Sequence, residues 1–144
     1  MKVEAILEAK GRQVETVRPD TAVVLAVDRL SSLRIGALVV SEDGQRVDGV
    51  LSEREIVRGL ARQGQRLLDL QVSDVMSRHA PVCSPDDTVK DAMALMTHSR
   101  HRHLPVVRNG KLAGLVSIGD LLKQRLEELE LQTNVLRDAY ITRH

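Results

Sequence analysis

The chain has no phenylalanine, no tryptophan and a single tyrosine, Tyr140, among 144 residues. Leu, Val, Ile, Ala and Met must therefore fill any core, and a planar ligand would lie between aliphatic side chains rather than on an aromatic face. Cysteine occurs once, at Cys83, which excludes an internal disulfide framework and fits a reducing compartment. No apolar run approaches the ~20 residues of a spanning helix, and the opening "MKVEAILEAK" lacks the apolar centre of a secretion signal. Nor does either charge dominate. With 21 Lys and Arg against 20 Asp and Glu, the formal charge is +1, so no overall field draws the chain to nucleic acid or to an anionic membrane. A cytoplasmic protein with neither partner is expected. Nucleophile elbow, Walker loop and Gly-rich dinucleotide turn are missing too, and Asp28, Asp74, Asp86, Asp87 and Asp91 read as turn, cap or surface residues. Nothing offers a second substrate or a transition-state stabiliser, so no enzyme is expected.

What is present is a hydrophobic fraction of 42%, enough for one core or for two halves that share one, and a phrase written twice. "GVLSEREIV" at Gly49 to Val57 returns as "GLVSIGDLL" at Gly114 to Leu122. Sliding the chain over itself aligns Pro19 with Pro85, Ala26 with Ala92, Leu38 with Leu104 and Gly44 with Gly110; after a one-residue drop, Ser52 meets Ser117 and Glu55 meets Asp120. Within each copy the periodicity changes in the same order. Short strands at "VETV" and "PVCS" lead to helical spacing in "TAVVLAVDRLSSL" and "TVKDAMALMTHS". Buried strands "IGALVVS" and "HLPVV", turns "EDG" and "RNG", and strands "VDGVLS" and "LAGLVS" follow, with a second helix starting at each serine. The fold class predicted is α+β, two β-α-β-β-α units about a pseudo-two-fold axis, divided as residues 1–72 and 73–144. The first unit is grouped with an N-terminal helical segment near Val3 to Ala9, the second with a long final helix. The connection "RQGQRLLDLQVSDVMSRHA" is too apolar at Leu67, Leu68, Leu70, Val72, Val75 and Met76 to be a solvated tether.

A serine followed three residues later by an acid at a strand-to-helix junction has two readings. As a capping box, each side chain satisfies a backbone N–H of the first turn. As a nucleotide site, the helix N-terminus and serine hydroxyl hold a phosphate while the carboxylate accepts from two ribose hydroxyls. Here the chain resembles a known family. With "RIGALVV" and "HRHLPVV" before the turns and "GVLSERE" and "GLVSIGD" after them, residues from about Glu15 to Leu122 look like a tandem pair of cystathionine-β-synthase-type (CBS) domains.

The resemblance implies a disc-like module that dimerises and binds adenine nucleotides or related adenosyl ligands, with AMP, ADP or ATP expected and no further cofactor. Carried over, Ser117 contacts phosphate and Asp120 the ribose, while His103, Leu104, Pro105 and Cys83 enclose the base. The first-half set is Ser52, Glu55, Gly36, Ala37, Leu38 and Thr16. Two departures stand out: Glu55 occupies a position where the family pattern prefers Asp, and Gly119 stands opposite Arg54. The first site thus has a phosphate-facing cation, Arg54, and a poorer ribose clamp; the second must draw its cation from elsewhere, and Arg102 in "RHRH" is the candidate, or one half serves the other across the cleft.

Other features are weighed against plainer roles. His98, His101 and His103 match no standard zinc spacing, and no second cysteine is present. Cys83 has no evident base and reads as a small core residue. Leu122, Leu126, Leu129, Thr133, Leu136 and Tyr140 alternate steps of four and three, the spacing of a contact seam. The sequence is thus expected to form a homodimer that senses an adenine nucleotide and signals to a separate protein effector not identifiable from sequence. The competing reading is a constitutive dimerisation scaffold whose serine phrases only cap helices.

Overall fold

Each copy of the repeated phrase lies across a strand-to-helix junction. The computed structural model describes the backbone of residues 1–143 and the side chains of residues 1–139. Helix α1 (Val3–Lys10) comes first, followed by β1 (Thr16–Val17), α2 (Val23–Leu33), β2 (Ala37–Val40), β3 (Gly49–Ser52) and α3 (Glu53–Gln63). A 3-10 segment (Gly64–Asp69) and the short α4 (Val72–Val75) lead to α5 (Val89–Ser99), β4 (His103–Arg108), β5 (Lys111–Ser117) and α6 (Ile118–Arg143). Strands β1, β2 and β3 form one sheet and β4 and β5 a second. The expected strand at "PVCS" contracts to one parallel bridge from Cys83 to Val106, equivalent to the pairing of Val17 with Val40. Asn109 and Gly110, both at positive φ, close the β4–β5 hairpin.

The strand registers shift one correspondence read from the sequence. His103 pairs with Ser117 as Ala37 pairs with Ser52. The structural equivalents of His103, Leu104, Pro105 and Cys83 are therefore Ala37, Leu38, Val39 and Val17, in keeping with the alignment of Leu38 with Leu104 and one residue on from the first-half set Gly36, Ala37, Leu38 and Thr16. The serines fix the register, because a one-residue slip would turn every side chain to the opposite face.

Packing also corrects the grouping of α1 with the first unit. One core holds Val17, Ala26, Leu30, Leu38, Val40, Leu51 and Val72; the other holds Val3, Ile6 and Leu7 with Cys83, Val89, Met96, Leu104, Val106 and Leu121. Helix α1, which precedes the first repeat, completes the second core, and α4, which precedes the second repeat, completes the first. The backbone bonds are the same in both places. Val3 and Glu4 donate to the carbonyls of Asp87 and Pro85, and Val89 donates to Met1; Val72 and Ser73 donate to Thr21 and Pro19, and Val23 to Leu70. "MKVEAIL" and "LQVSDVM" are thus a third matched pair of segments. Crossing them ties the halves together, since neither core is closed by its own repeat.

This crossing explains the glycine of the doubled phrase. A Cβ at Gly114 would lie 2.5 Å from Leu7 Cδ2, and one at Gly49 would lie 2.7 Å from the Ser77 carbonyl oxygen and 2.8 Å from Met76 Sδ. Backbone cannot retreat as a side-chain tip can. Gly49→Ala is therefore expected to cost about 1–3 kcal/mol, whereas Gly119→Ala, whose Cβ meets nothing closer than 3.6 Å, should be neutral or mildly stabilising within its helix. Urea denaturation of the two variants checks this; equal midpoints would contradict the crossing contact.

Candidate functional site

A cleft of about 790 Å³ opens between the halves. The first half lends Gly36 and the N-terminus of α3, with Ser52, Glu53, Arg54 and Arg58; the second lends the end of α5, the "RHRH" segment Arg100 to His103, and Ile118. Four arginines face one glutamate. Arg54 reaches across the boundary and donates to the Arg100 carbonyl, and its other nitrogen lies 3.5 Å from Glu55 Oε1. The guanidinium groups of Arg58, Arg100 and Arg102 have no ion pair or hydrogen bond among the described residues, although the carbonyls of Arg100 and Arg102 accept from Arg54 and from the Ile118 N–H. Arg100 caps α5 in the left-handed conformation, φ 60°, and Arg34 caps α2 in the same way at φ 54°. This turn sets the "RHRH" run at the cleft mouth. Arg58, Arg100 and Arg102 are exposed at this mouth, and guanidinium groups without carboxylate partners bind phosphate oxygens two bonds at a time.

Of the residues expected at the site, Gly36, Ser52, Arg54, Arg102 and His103 line this cleft. Glu55 lines a smaller cavity of about 540 Å³ beside it, which Arg54 and Arg58 share. Ala37, Leu38, Leu104, Pro105 and Cys83 are buried, and none of them lines either cavity. Thr16 pairs with Val39, and its carbonyl accepts from Arg29. Burial, with Asp87 nearby, pushes the Cys83 thiol up to about 12, so it stays a thiol at neutral pH. Among the described residues no group of three His, Cys, Asp or Glu is placed to hold a metal, and no helix is long and apolar enough to cross a membrane.

The two serine–acid pairs differ. Asp120 accepts from the Ser117 N–H at 2.9 Å and Ser117 Oγ accepts from the Asp120 N–H at 3.1 Å, a reciprocal box. Ser52 and Glu55 also form a box, and here Ser52 gives its hydroxyl as well as its N–H, at 2.9 Å, to Glu55 Oε2. Glu55 is 7% exposed, with one oxygen doubly engaged and the other facing Arg54. Asp120 is more open and has a partner that local patterns do not disclose: Lys10 Nζ lies 2.7 Å from Oδ2 and 3.0 Å from the Leu115 carbonyl. Burial pushes the Asp120 carboxyl up, but Lys10 and the Ser117 N–H outweigh it and hold the group below the ordinary aspartate value. Arg58 also escaped the motif reading, although its position one turn beyond Arg54 is a usable signal.

His103 sits where the halves meet, its ring 3.2 Å from a Cβ built on Gly36. Burial lowers its pKa from 6.5, against the pull of Glu53 and Asp120. The folded protein therefore binds fewer protons than the unfolded chain below pH 6.5, so the stability from a neutral His103 is present above that pH and lost as pH falls. His103→Gln is expected to flatten the decline in unfolding free energy as pH falls below 6.5. Urea denaturation across that range is the check, and an unchanged slope would contradict the assignment.

Two crossed α+β repeats with a basic cleft between them define a tandem-repeat module, and known proteins share it. The CBS-domain family profile matches residues 8–62 and 72–127. The CBS domain-containing protein YhcV of Bacillus subtilis is 32% identical over 119 residues, spanning 83% of this chain and 84% of that one. The mitochondrial CBS domain-containing protein CBSX3 of Arabidopsis thaliana is 29% identical over 150 residues, 96% of this chain and 73% of that one. The crystal structure of the CBS-domain containing protein ATU1752 of Agrobacterium tumefaciens superposes with a TM-score of 0.82 at 40% identity, covering 86% of this chain and 92% of that one. The chain belongs to the CBS-domain family as a tandem CBS pair, a module of generally regulatory kind.

Proposed function

We propose that this CBS pair is a cytoplasmic sensor that binds an adenine nucleotide, of the AMP, ADP or ATP type, between its halves, and passes occupancy to a separate protein. The observation that carries this reading is the cleft in which Arg54, Arg58, Arg100 and Arg102 face a single acid, Glu53. A phosphate chain lying there contacts both halves at once, so its charge draws them together. Ser52 lines this cleft and Glu55 the smaller cavity beside it, whereas Ser117 and Asp120 line neither; aliphatic walls serve the base in a chain with no Phe or Trp. The reading is of a binding module rather than an enzyme, since binding alone accounts for these groups. Thermal unfolding with AMP, ADP, ATP, NAD and S-adenosylmethionine tests it, because a ligand that binds only the folded state raises the midpoint by mass action. A rise with adenine nucleotides is expected; no shift with any of them at millimolar concentration would overturn it.

The module acts as a homodimer in this reading. Val57 and Leu60 on α3 are exposed, as are Leu122, Leu126, Leu129 and Leu136 on α6. Tyr140, the last position of the seam, lies outside the residues whose side chains are described. Each Å² of apolar surface covered contributes ~25 cal/mol, and the four seam leucines together outweigh the lone aliphatic exposures normal on a monomer. Truncation after Leu122 is expected to weaken the dimer without abolishing it, because Val57 and Leu60 remain. Sedimentation at micromolar concentration decides: a full-length monomer removes the dimer, and an equally tight truncated dimer removes α6 from the interface.

A further inference from the structure

We propose that Lys10 and Asp120 form a hydroxyl-reading pair in the second half, which takes one ribose hydroxyl as donor and acceptor together. The proposal rests on the reading of Asp120 as the carboxylate that faces ribose. Lys10 belongs to α1 and lies 110 residues away in sequence; the crossing of the lead-in segments brings it to the Asp120 carboxylate.

The hydrogen-bond inventory leaves one vacancy on each partner. An ammonium has three N–H groups. Two are directed, at Asp120 Oδ2 (2.7 Å) and the Leu115 carbonyl (3.0 Å), and the third has no acceptor among the described residues. On Asp120, Oδ2 also takes the Ser117 N–H at 2.9 Å, while Oδ1 has no partner among the described residues. A hydroxyl placed there donates to Oδ1 and accepts from Nζ, satisfying both. The pair is open enough for this, the side chains being 39% and 25% exposed.

The first half has no such pair, for a reason visible in the backbone. There α4 ends at Val75, and Ser77 exchanges backbone hydrogen bonds with Val50, at 3.0 and 2.9 Å. In the second half α1 continues to Lys10, its backbone turns inward to the helix, and the Lys10 ammonium reaches the carbonyl of Leu115, the counterpart of Val50. The same extension that replaces a strand bridge with a lysine thus brings that lysine to the carboxylate. Glu55 has no counterpart of Lys10, and both of its oxygens are engaged within the first half. A ligand without the hydroxyl would leave a partly desolvated charged pair unsatisfied, a cost that favours ribose over its deoxy forms.

The experiment titrates adenosine, 2′-deoxyadenosine and 3′-deoxyadenosine into wild type, Lys10→Met, Lys10→Gln and Asp120→Ala, each confirmed folded by its melting curve. Wild type is expected to prefer adenosine over at least one deoxynucleoside by about tenfold or more. Lys10→Met should bring that ratio close to one, Lys10→Gln, which retains a donor, should restore part of it, and Asp120→Ala should lose both the ratio and affinity for adenosine. A purely structural ion pair would alter melting and leave the ratio unchanged. If Asp120→Ala loses the ratio while Lys10→Met keeps it, or if Lys10→Met binds adenosine more tightly, the hydroxyl-reading pair is overturned and the reading of Asp120 survives. If Asp120→Ala binds adenosine as wild type does, or wild type binds none, the reading of Asp120 is overturned, and the pair with it.

Discussion

Leu7→Ala is expected to lower the unfolding free energy by about 2–5 kcal/mol, a large part of the ~5–15 kcal/mol typical of a whole domain. Leu7 is fully buried, although it lies only six residues from the N-terminus, where truncation is usually tolerated. It seats on Gly114 and packs among Cys83, Leu104 and Val116 of the second core. Removing its branched end leaves a cavity that the hairpin of β4 and β5 cannot close without moving its backbone. Leu68→Ala, in the connecting segment but 40% exposed, should stay within about 0.5 kcal/mol of wild type. The location of the damage is as informative as its size. Amide exchange should rise in α5, β4 and β5 more than in α2, β2 and β3; a loss under about 1 kcal/mol, or damage centred on the first half, would contradict the crossed assignment of α1.

Asp120→Ala is expected to weaken AMP by about tenfold or more and Glu55→Ala by much less, because a charged hydrogen-bonding group matters to a ligand only where it has capacity left. Asp120 has a free oxygen. Glu55 has none, being held by the Ser52 N–H and hydroxyl on one side and by Arg54 on the other. Its loss should appear mainly in stability, at about 1 kcal/mol for a spoiled cap, and in a freed Arg54. Isothermal titration of both variants with AMP separates the cases. Equal losses, or a larger loss for Glu55→Ala, would reverse the ranking of the two halves.

How much of this was legible in the sequence depended on distance along the chain. The duplicated serine phrases, the strands on either side of "EDG" and "RNG", and the helix starts at Ser52 and Ser117 are local patterns, and the structure has them where the periodicity changes. The lead-in segments are also a repeat, but Val3 with Val72 is their only shared apolar identity within a short window, too little to align by eye. Their crossing is a tertiary event that no local signal records, so sequence alone groups α1 with the repeat it precedes rather than with the core it fills. The first-half partner of Cys83 is hard to place from sequence because the first strand of each unit is nearly vestigial, two residues in one half and a bridge in the other, and gives alignment little to hold. At the site, Arg54 and Arg102 were legible because each adjoins a repeated motif. Lys10 was not, because it meets Asp120 only through the crossing.

Titration of the isotopically labelled protein with AMP, followed by amide and side-chain NMR shifts, tests the central claim most directly. The account predicts saturable shifts concentrated at Arg54, Arg58 and Arg100 to His103, extending to Ser117, Asp120 and Lys10, with the outer faces of α2 and α5 unaffected. An absence of shifts at millimolar AMP, or shifts centred away from the cleft between the halves, would contradict it.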